Sequence, residues 1–306
     1  MTSSERMDIT NGIWLCQTHS KLVDADRAAY PAERLHQIKV EHEDFIRRLI
    51  TGEEARRGSD FIALGHDLVF TGELTNCDQS TWTFRLDHFV IGDLNTLIAF
   101  SERFEATQPY DLFILDNMLG EGRQLATPPA WRRTSQGYEV SVQVLPSFPR
   151  VQAHELPSTL LVDDVNDIAV VNGSFARIRG LEALPQTIQQ CLSTIRGEVF
   201  YDSSVGTRIH EYSNVFYDSP WLPKLIKLET IRMACIPRDS SGGQTPQTPL
   251  WAVTRVHSVV RLERQETNNW VPFRFVLQVE GIGPWEREIR LFIPGPTKRR
   301  AERFDQ

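Results

Sequence analysis

The dipeptide Asn172-Gly173 is the feature that most constrains the fold, because it lies between two short apolar segments, 167–171 and 174–178. Asparagine and glycine accept the positive φ angles of a two-residue turn more readily than other residues do. Immediately downstream, apolar residues recur at steps of three and four, as one face of a helix requires. They are Leu181, Leu184, Ile188, Cys191, Leu192 and Ile195. The sequence therefore predicts a β-hairpin followed directly by an amphipathic helix.

The remainder of the C-terminal half predicts one more helix and then a sheet. The helix is predicted over 220–236, and Pro237 with the polar segment 239–248 ends it. Three strand-like segments follow, at 252–262, 270–280 and 285–293. Apolar and polar residues alternate in the second of them, which favours an antiparallel sheet with a helix-covered face. These elements predict an α+β fold.

Residues 59–157 read as a mixed, β-rich middle region. Alternating or continuous apolar residues predict strands there, at 82–87, 112–115 and 138–144. Residues 94–104 fit a short helix better. His66 and His88 each stand beside an aspartate. Because neighbours along a strand point to opposite faces, we interpret both as structural histidines and not as catalytic dyads.

Composition limits the class of protein. The chain has 306 residues, a formal net charge of -7 and four scattered cysteines without the spacing of a disulfide framework. It has no signal-peptide-like segment before residue 60 and no apolar run near the ~20 residues of a membrane helix. We therefore expect a cytoplasmic protein that neither spans a membrane nor coats nucleic acid through bulk charge. From its size we expect about two domains. The patterns along the sequence divide it into 1–58, 59–157, 158–296 and a basic tail, 297–306.

A short motif follows the predicted hairpin and helix. The order is hairpin, helix, then Leu-x-Thr-x-x-Gly-Glu at 192–198 and Asp-x-x-x-Gly at 202–206. This order resembles the phage tail baseplate-wedge family, which has a small lysozyme-like α+β fold, over about residues 164–294. The resemblance implies a module that docks to neighbours in an assembly. Its motif residues here are Gly197, Glu198, Asp202 and Gly206.

The lysozyme-like fold also raises a glycosidase hypothesis, because Glu198 and Asp202 are close in sequence. That mechanism needs a protonated acid and an ionised partner held at a defined separation across a sugar cleft. Sequence proximity does not supply this arrangement. We expect instead that both carboxylates brace the loop before an edge strand.

The N-terminal segment carries a second resemblance. The string Asn11-Gly12-Ile13-Trp14-Leu15-Cys16-Gln17-Thr18-His19 and the helix-like segment from Pro31 resemble the downstream half of an HNH nuclease finger, over about residues 2–43. In that ββα-metal fold a first-strand His activates water, an Asn holds the loop and a later His binds the metal. The resemblance makes Asn11 and His19 candidate catalytic residues. It also makes Cys16 and His19 candidate ligands of Zn²⁺ or Mg²⁺.

The first catalytic His of that family has no counterpart here, since none of the ten residues before Asn11 is His or Cys. This segment alone therefore provides neither a hydrolytic site nor four zinc ligands. Two explanations stay open. Either the finger is decayed or truncated, or it is completed by residues upstream of Met1 or by a partner chain.

A long helix is predicted over 30–57, and four basic residues lie in its second half, Arg47, Arg48, Arg56 and Arg57. They are candidate phosphate contacts. Glu53 and Glu54 lie among them and favour a solvated helix face instead. With the acidic net charge, we expect at most weak and salt-sensitive DNA binding.

Two classes of function follow. In the first, the chain is a noncatalytic assembly or sensor component of a bacterial anti-phage or mobile-element system, and its baseplate-like module engages protein partners. In the second, it is a metal-dependent HNH DNA endonuclease whose catalytic half lies upstream or in a partner. A structural protein of a phage tail baseplate is a third option. We favour the first, because the regular C-terminal half shows no convergent polar site in its sequence.

Overall fold

The computed structural model of the chain forms two compact units, Met1–Arg57 and Gly58–Gln306. In the first unit it describes residues 12, 13, 15, 20, 23, 24, 31–33, 35, 36, 38–40 and 43. In the second unit it describes residues 59–78, 80–135, 137–163, 167–200, 205–237, 247–263 and 268–295. The boundary between the units falls next to the end of the leader that the sequence delimits at residue 58.

The first unit contains a helix where the sequence predicts one. All described residues from 32 to 43 are helical. Leu35 and Ile38 are half-buried, whereas Lys39 and Glu43 lie one turn apart with their charged groups 3.7 Å from each other. Lys39 follows Leu35 by one turn and its side chain is only 17% exposed, so the half-buried side of the described helix includes a lysine that pairs with the more exposed Glu43.

Seven antiparallel strands of the second unit form one sheet. In chain order they are β1 (Ser59–Leu64), β2 (Leu68–Cys77), β3 (Thr81–Ile91), β4 (Phe113–Asp116), β5 (Glu121–Gln124), β6 (Ala130–Thr134) and β7 (Gly137–Gln143). Their order across the sheet is β5-β4-β1-β2-β3-β7-β6. Helix α1 (Leu94–Glu102) lies between β3 and β4 in the chain, and Asp93 caps it by accepting a 2.8 Å hydrogen bond from Thr96 N.

The sheet closes on itself, because the segments that follow β5 and β7 pair with each other. Leu125 and Val144 form an antiparallel bridge. Beside it, Ala126 N donates to Gln143 O and Leu145 N donates to Gln124 O, both at 2.8 Å. Six strands thus form a small barrel, with β6 on the remaining edge of β7. Closure leaves fewer unpaired strand edges than an open sheet would have.

Alternation along the strands separates two apolar faces. In β1, Ile62 and Leu64 point into the barrel, whereas Phe61 and Ala63 belong to a second core outside it. The barrel interior is filled by side chains, among them Leu68, Phe70, Trp82, Phe84, Leu86, Ile114, Val140 and Val142, and Leu97 of α1 closes it. The predicted strands at 82–87, 112–115 and 138–144 and the helix at 94–104 are therefore confirmed.

The described part of the C-terminal half contains short hairpin strands, three α-helices and a three-stranded antiparallel sheet. In chain order its elements are β8 (Thr159–Leu160), β9 (Val170–Val171), β10 (Ser174–Phe175), β11 (Arg177–Ile178), α2 (Leu184–Ser193), α3 (Ile209–Phe216), α4 (Trp221–Cys235), β12 (Val253–Arg261), β13 (Trp270–Val279) and β14 (Gly283–Phe292). The predicted second helix and the three predicted strands are confirmed, and so is the α+β class. The sequence did not predict α3.

Helix α4 is the centre of the second core and is buried on almost every side. It packs against the outer wall of the barrel on one side, where Phe61 and Trp221 meet edge to face at 5.5 Å, and against β12 on the other. At its C-terminal end Cys235 Sγ accepts a 3.2 Å hydrogen bond from Gly122 N of β5. One apolar core thus contains residues from both sides of position 157. The boundary that we expected there does not separate two cores.

The Asn172-Gly173 turn forms as predicted, with φ angles of 50° and 76° at the two turn residues. The strands it joins are shorter than predicted, because β9 pairs with β10 while Arg177–Ile178 pairs with β8. Gln186 of α2 fixes its base, because its side-chain amide donates to Leu160 O and accepts from Val162 N, both at 2.8 Å. None of the helices in the described ranges has the length and apolar composition of a membrane span.

Candidate functional site: three arginines around His66

Most of the candidate site residues from the sequence lie outside the described residues: Asn11, Cys16, His19, Arg47, Arg48, Arg56, Arg57 and Asp202. The HNH site, the Zn²⁺ or Mg²⁺ ligands and the phosphate contacts therefore stay predictions. Within the described ranges, no group of three His, Cys, Asp or Glu side chains could hold a metal ion.

The described residues of the Gly-Glu and Gly motif, Gly197, Glu198 and Gly206, shape the loop between α2 and α3. A Glu198 carboxylate oxygen accepts a 3.0 Å hydrogen bond from Ile195 N, so Glu198 braces this loop as expected. The loop leads into helix α3, however, and not into the edge strand that we expected. Gly206 has a φ of 104°, and a Cβ there would lie 2.5 Å from the Ile195 carbonyl. Glycine is thus required at 206, where the returning chain passes close to residue 195.

This close approach pairs the two sides of the loop and orients Arg196. Arg196 N donates to Thr207 O at 3.1 Å, and Gly197 N donates to Val205 O at 3.2 Å. The Arg196 side chain reaches the turn between β1 and β2, where Nη1 lies 2.7 Å from His66 Nδ1. Its Nη2 lies 3.4 Å from Asp111 Oδ1. The motif therefore fixes an arginine beside a half-buried histidine.

Two more arginines reach the same turn from other elements. Arg208, just before α3, donates to His66 O at 2.7 Å and lies 3.4 Å from Asp67 Oδ1. Arg232, in α4, donates to Gly65 O at 3.0 Å. The turn at 65–67 is thus held by three guanidinium groups that are far apart in the sequence. This contradicts our expectation that the C-terminal half has no convergent polar site.

His66 is a neutral histidine in this setting. Burial, followed by the charges of Arg232, Arg196 and Arg208, lowers its pKa from 6.5 to about 2. Because a guanidinium has no acceptor, Nδ1 accepts the hydrogen bond from Arg196 and the proton of the ring lies on Nε2. With this pKa, His66 is not a general base near neutral pH. The structural interpretation of His66 is favoured over a dyad with Asp67, whose side chain is 76% exposed.

Arg232, one of these three arginines, forms a buried ion pair with Glu229. Arg232 Nε lies 3.3 Å from a Glu229 carboxylate oxygen, and Tyr212 Oη donates to the same oxygen at 3.2 Å. The other Glu229 oxygen and Arg232 Nη1 find no hydrogen-bond partner among the described residues. Burial raises the pKa of Tyr212, so its hydroxyl stays protonated. Unpartnered buried polar atoms of this kind are rare and call for an explanation.

Arg196 and Arg232 also line a small cavity of about 40 Å³. The other lining residues are Tyr110, Val205, Gly206, Met233, Ile236, Pro237 and Pro249. A second cavity of about 280 Å³ lies between the 65–67 turn and α1, with His66, Phe100 and Arg103 in its walls. The described walls of the first cavity are mostly apolar, and its two arginines pair with Asp111 and Glu229. Among the residues that the structure describes there, no nucleophile is paired with a base.

The sequence contained one signal for this site. Arg232 interrupts the apolar run Ile231-Arg232-Met233-Ala234-Cys235 in a helix, and a buried arginine is almost always paired. Arg196 lies inside the motif, yet only the fold shows where its side chain points. Arg208 and Asp111 carry no sequence signal.

Comparisons of the chain with models of known protein families, with curated proteins and with solved structures find no match. The two resemblances, to HNH fingers and to baseplate-wedge modules, therefore stay predictions.

Proposed function

We propose that the chain is a noncatalytic assembly or sensor component of a bacterial anti-phage or mobile-element system, and that it works through contacts with a protein partner. The observation that carries this proposal is an apolar surface on the 167–178 hairpin. Ile168, Val170, Val171 and Phe175 are 43%, 60%, 56% and 65% exposed there. We call these four side chains the hairpin surface.

The hairpin surface is presented by an anchored element. The side-chain amide of Gln186 binds the backbone of Leu160 and Val162 at the base of the hairpin. Within the hairpin, Ala176 N donates to Ala169 O at 2.9 Å. The turn beyond this base is exposed throughout. Clustered, exposed apolar side chains on a fixed element are typical of protein-protein contact sites.

The polar chemistry of the described residues supports a binding role over a catalytic one. The low pKa keeps His66 neutral, and its hydrogen bonds go to arginines. A cytoplasmic location is part of the proposal, because the described cysteines Cys77, Cys191 and Cys235 are thiols and not disulfides.

The test removes the hairpin surface without changing the hairpin. Val170→Ser with Phe175→Ser deletes two exposed apolar side chains, and Val215→Ser with Ile282→Ser is a matched control at exposed sites elsewhere. We expect a stoichiometric partner to copurify from the native host with the wild type and the control but not with the hairpin variant. The complex should also form from the two purified chains in size-exclusion chromatography. Equal recovery of the partner by all three proteins, or no stoichiometric partner, contradicts the proposal.

The alternative is an HNH endonuclease completed by upstream residues or by a partner, and the motif at residues 11–19 supports it. Under the first proposal, the chain does not nick plasmid DNA with Mg²⁺ or Mn²⁺. Its DNA binding is weak at physiological salt in an electrophoretic shift. Nicking that is lost in His19→Ala would favour the endonuclease instead. A stoichiometric partner that proves to be a tail component would favour the baseplate option.

A further inference from the structure

We propose that the open edge of strand β6 binds an extended, acidic segment of a partner protein as an added strand of the sheet. Three observations about β6 carry the proposal: its unpaired edge, a row of alternating charges that ends on it, and an exposed aromatic side chain on its other face. The site lies on different strands from the hairpin surface, so it does not rest on the function proposed above.

Strand β6 has a neighbour on one side only. It is an edge strand of the seven-stranded sheet and pairs with β7 alone. Because alternate residues of a strand direct their backbone N–H and C=O groups to opposite edges, part of the β6 backbone faces away from β7. No backbone hydrogen bond from any other described segment reaches residues 130–133, and all four are exposed. This edge is therefore accessible to a further strand.

Other strand edges of the two larger sheets are covered at least in part. Val256 N of β12 donates to Gly120 O at 2.8 Å, and Phe292 N of β14 donates to Ser193 Oγ at 3.1 Å. The edge beside β5 is used in closing the barrel. Among the described strands of these sheets, β6 thus offers the edge that is least covered.

A row of alternating charges crosses four strands and ends at β6. Its members are successive cross-strand partners: Glu73 of β2, Arg85 of β3, Glu139 of β7 and Arg132 of β6. Arg85 Nη2 lies 2.6 Å from Glu73 Oε2, and Arg132 Nη2 lies 2.6 Å from Glu139 Oε1. The Arg132 side chain, at the end of the row, is 72% exposed. Because opposite charges favour cross-strand pairing, an acidic residue fits the next position, opposite Arg132.

The other face of β6 carries an aromatic side chain. Trp131 is 38% exposed and meets Tyr138 of β7 edge to face, with 6.1 Å between the ring centroids. Arg133 shares this face with Trp131, because residues two apart along a strand point the same way, and it is exposed. An added strand therefore matches β6 best with an apolar residue opposite Trp131 and acidic residues opposite both arginines.

Two other occupants fit this edge less well. A second copy of β6, paired antiparallel about its own centre, places the two copies of Arg132 opposite each other, and like charges in that position disfavour pairing. A single-stranded nucleic acid can stack a base on Trp131. Its phosphates only accept hydrogen bonds, however, and so give no donor to the C=O groups of the edge. A peptide backbone supplies both donors and acceptors.

A designed peptide tests the proposal with the full chain. The probe is Ser-Thr-Glu-Glu-Val-Thr-Ser-amide with a fluorophore on its N-terminus. Antiparallel pairing, as in the rest of this sheet, places its two glutamates opposite Arg133 and Arg132 and its valine opposite Trp131. Fluorescence anisotropy measures its affinity. Because the edge is only five residues long, we expect weak binding, with a Kd of about 0.1–1 mM.

Three control probes separate the features of the edge. Gln-Gln in place of Glu-Glu removes the charges and should weaken binding about fivefold or more. Pro-Pro in place of Val-Thr keeps the charges but removes two neighbouring N–H groups, of which one faces β6, so it should abolish binding. A short oligothymidylate with the same fluorophore tests the nucleic-acid alternative, and we expect it to bind more weakly than the probe.

Hydrogen exchange and two variants locate the site. The probe should slow amide exchange in 130–134, where open-edge groups gain partners, and leave β14 unchanged. Arg132→Gln should weaken binding about threefold. Arg290→Gln is the matched control, because it removes the same charge from an exposed arginine of another edge strand. Circular dichroism verifies that both variants are folded.

Each contrary result is decisive. No binding of the probe up to about 1 mM contradicts the proposal. Equal binding of the Gln-Gln form rules out charge recognition, and equal binding of the Pro-Pro form rules out strand addition. If Arg132→Gln and Arg290→Gln weaken binding equally, the peptide responds to net charge and not to this edge. Tighter binding of the oligothymidylate would make the edge a nucleic-acid site. If exchange in 130–134 slows when the protein alone is concentrated, a second copy occupies the edge instead.

Discussion

Two regions meet at β1 and the turn that follows it, the barrel interior and the arginine cluster, which consists of Arg196, Arg208 and Arg232 around His66. They are built on opposite principles. Inside the barrel, Ile62, Phe84 and Val140 are almost completely buried in an apolar core. Next to His66, the charged side chains of Arg232 and Glu229 are buried, and each has a polar atom without a partner in the described structure. The barrel interior stabilises the fold by burying apolar surface area. The second region buries charged side chains that keep unpartnered polar atoms, which costs free energy that an apolar core does not lose.

The sharpest test of this contrast compares Phe84→Ala with Arg232→Met. Both should lower the free energy of unfolding by about 3–5 kcal/mol, the first through a core cavity and the second because Glu229 is left buried and unpaired. Adding Glu229→Gln should restore more than half of the loss in Arg232→Met, since the amide that replaces the carboxylate is uncharged and still accepts from Tyr212. Urea unfolding measures the wild type, Phe84→Ala, Arg232→Met, Glu229→Gln and the double variant. A double variant as unstable as the sum of the single variants would show that Arg232 acts through packing.

Asp116, at the end of β4, is a buried charged group outside the arginine cluster and provides a second test. Burial, with a smaller effect of Asp60, raises the pKa of this carboxyl from 3.8 to about 6. The folded state therefore holds this proton more tightly than the unfolded state, and the stability from Asp116 is lost as pH rises from about 4 through 6. Asp116→Asn should be more stable than the wild type by up to about 3 kcal/mol at pH 8, and by much less at pH 4. The asparagine can still accept from Leu119 N.

Thermal denaturation of Asp116→Asn at several pH values verifies this, with Asp67→Asn as the exposed control. If Asp116→Asn differs from the wild type in stability by the same amount at pH 4 and pH 8, the charge of Asp116 does not cause the difference.

His66 predicts the opposite dependence on pH. The pKa of His66 is about 2 in the folded state, against its ordinary value of 6.5, so the unfolded state binds the proton more tightly. The free energy of unfolding therefore falls as the pH drops below 6.5, by about 2 kcal/mol at pH 5. His66→Asn keeps an acceptor near the Nδ1 position and should remove this part of the acid sensitivity. His154→Asn, at an exposed histidine, is the matched control. Unchanged acid sensitivity in His66→Asn would mean that other groups cause it.

The smallest effect is expected at the barrel end. Asp93→Ala removes both contacts of the capping box at α1 and should cost about 1 kcal/mol at neutral pH. Glu102→Ala, an exposed position in the same helix, should change stability by less than half of that. Equal values for the two variants would mean that the cap does not stabilise the barrel end.

The same contrast explains what the sequence could predict. Strands repeat apolar residues at steps of two, and helices at steps of three and four, so both patterns can be seen in a short stretch of sequence. The sequence therefore predicted β3, β7, β13, α2 and α4. Barrel closure depends on pairing between Leu125 and Val144, and no local pattern encodes such a contact. Helix α3 was missed because it is only eight residues long. The arginine cluster was missed because it depends on four segments meeting at Gly65-His66-Asp67.

Gly122 N of β5 donates a hydrogen bond to Cys235 Sγ at the end of α4, and the separation of these two elements can be followed experimentally. Cys235 is 4% exposed, and burial raises the pKa of its thiol, so it reacts with an alkylating reagent only when β5 and the end of α4 separate. Cys77 is exposed on the barrel and reacts without such an opening. Mass spectrometry of the two alkylated peptides therefore follows the separation of β5 from the end of α4 against an internal reference. The measured rate is the opening rate where alkylation is faster than closing, and otherwise it reports the opening equilibrium.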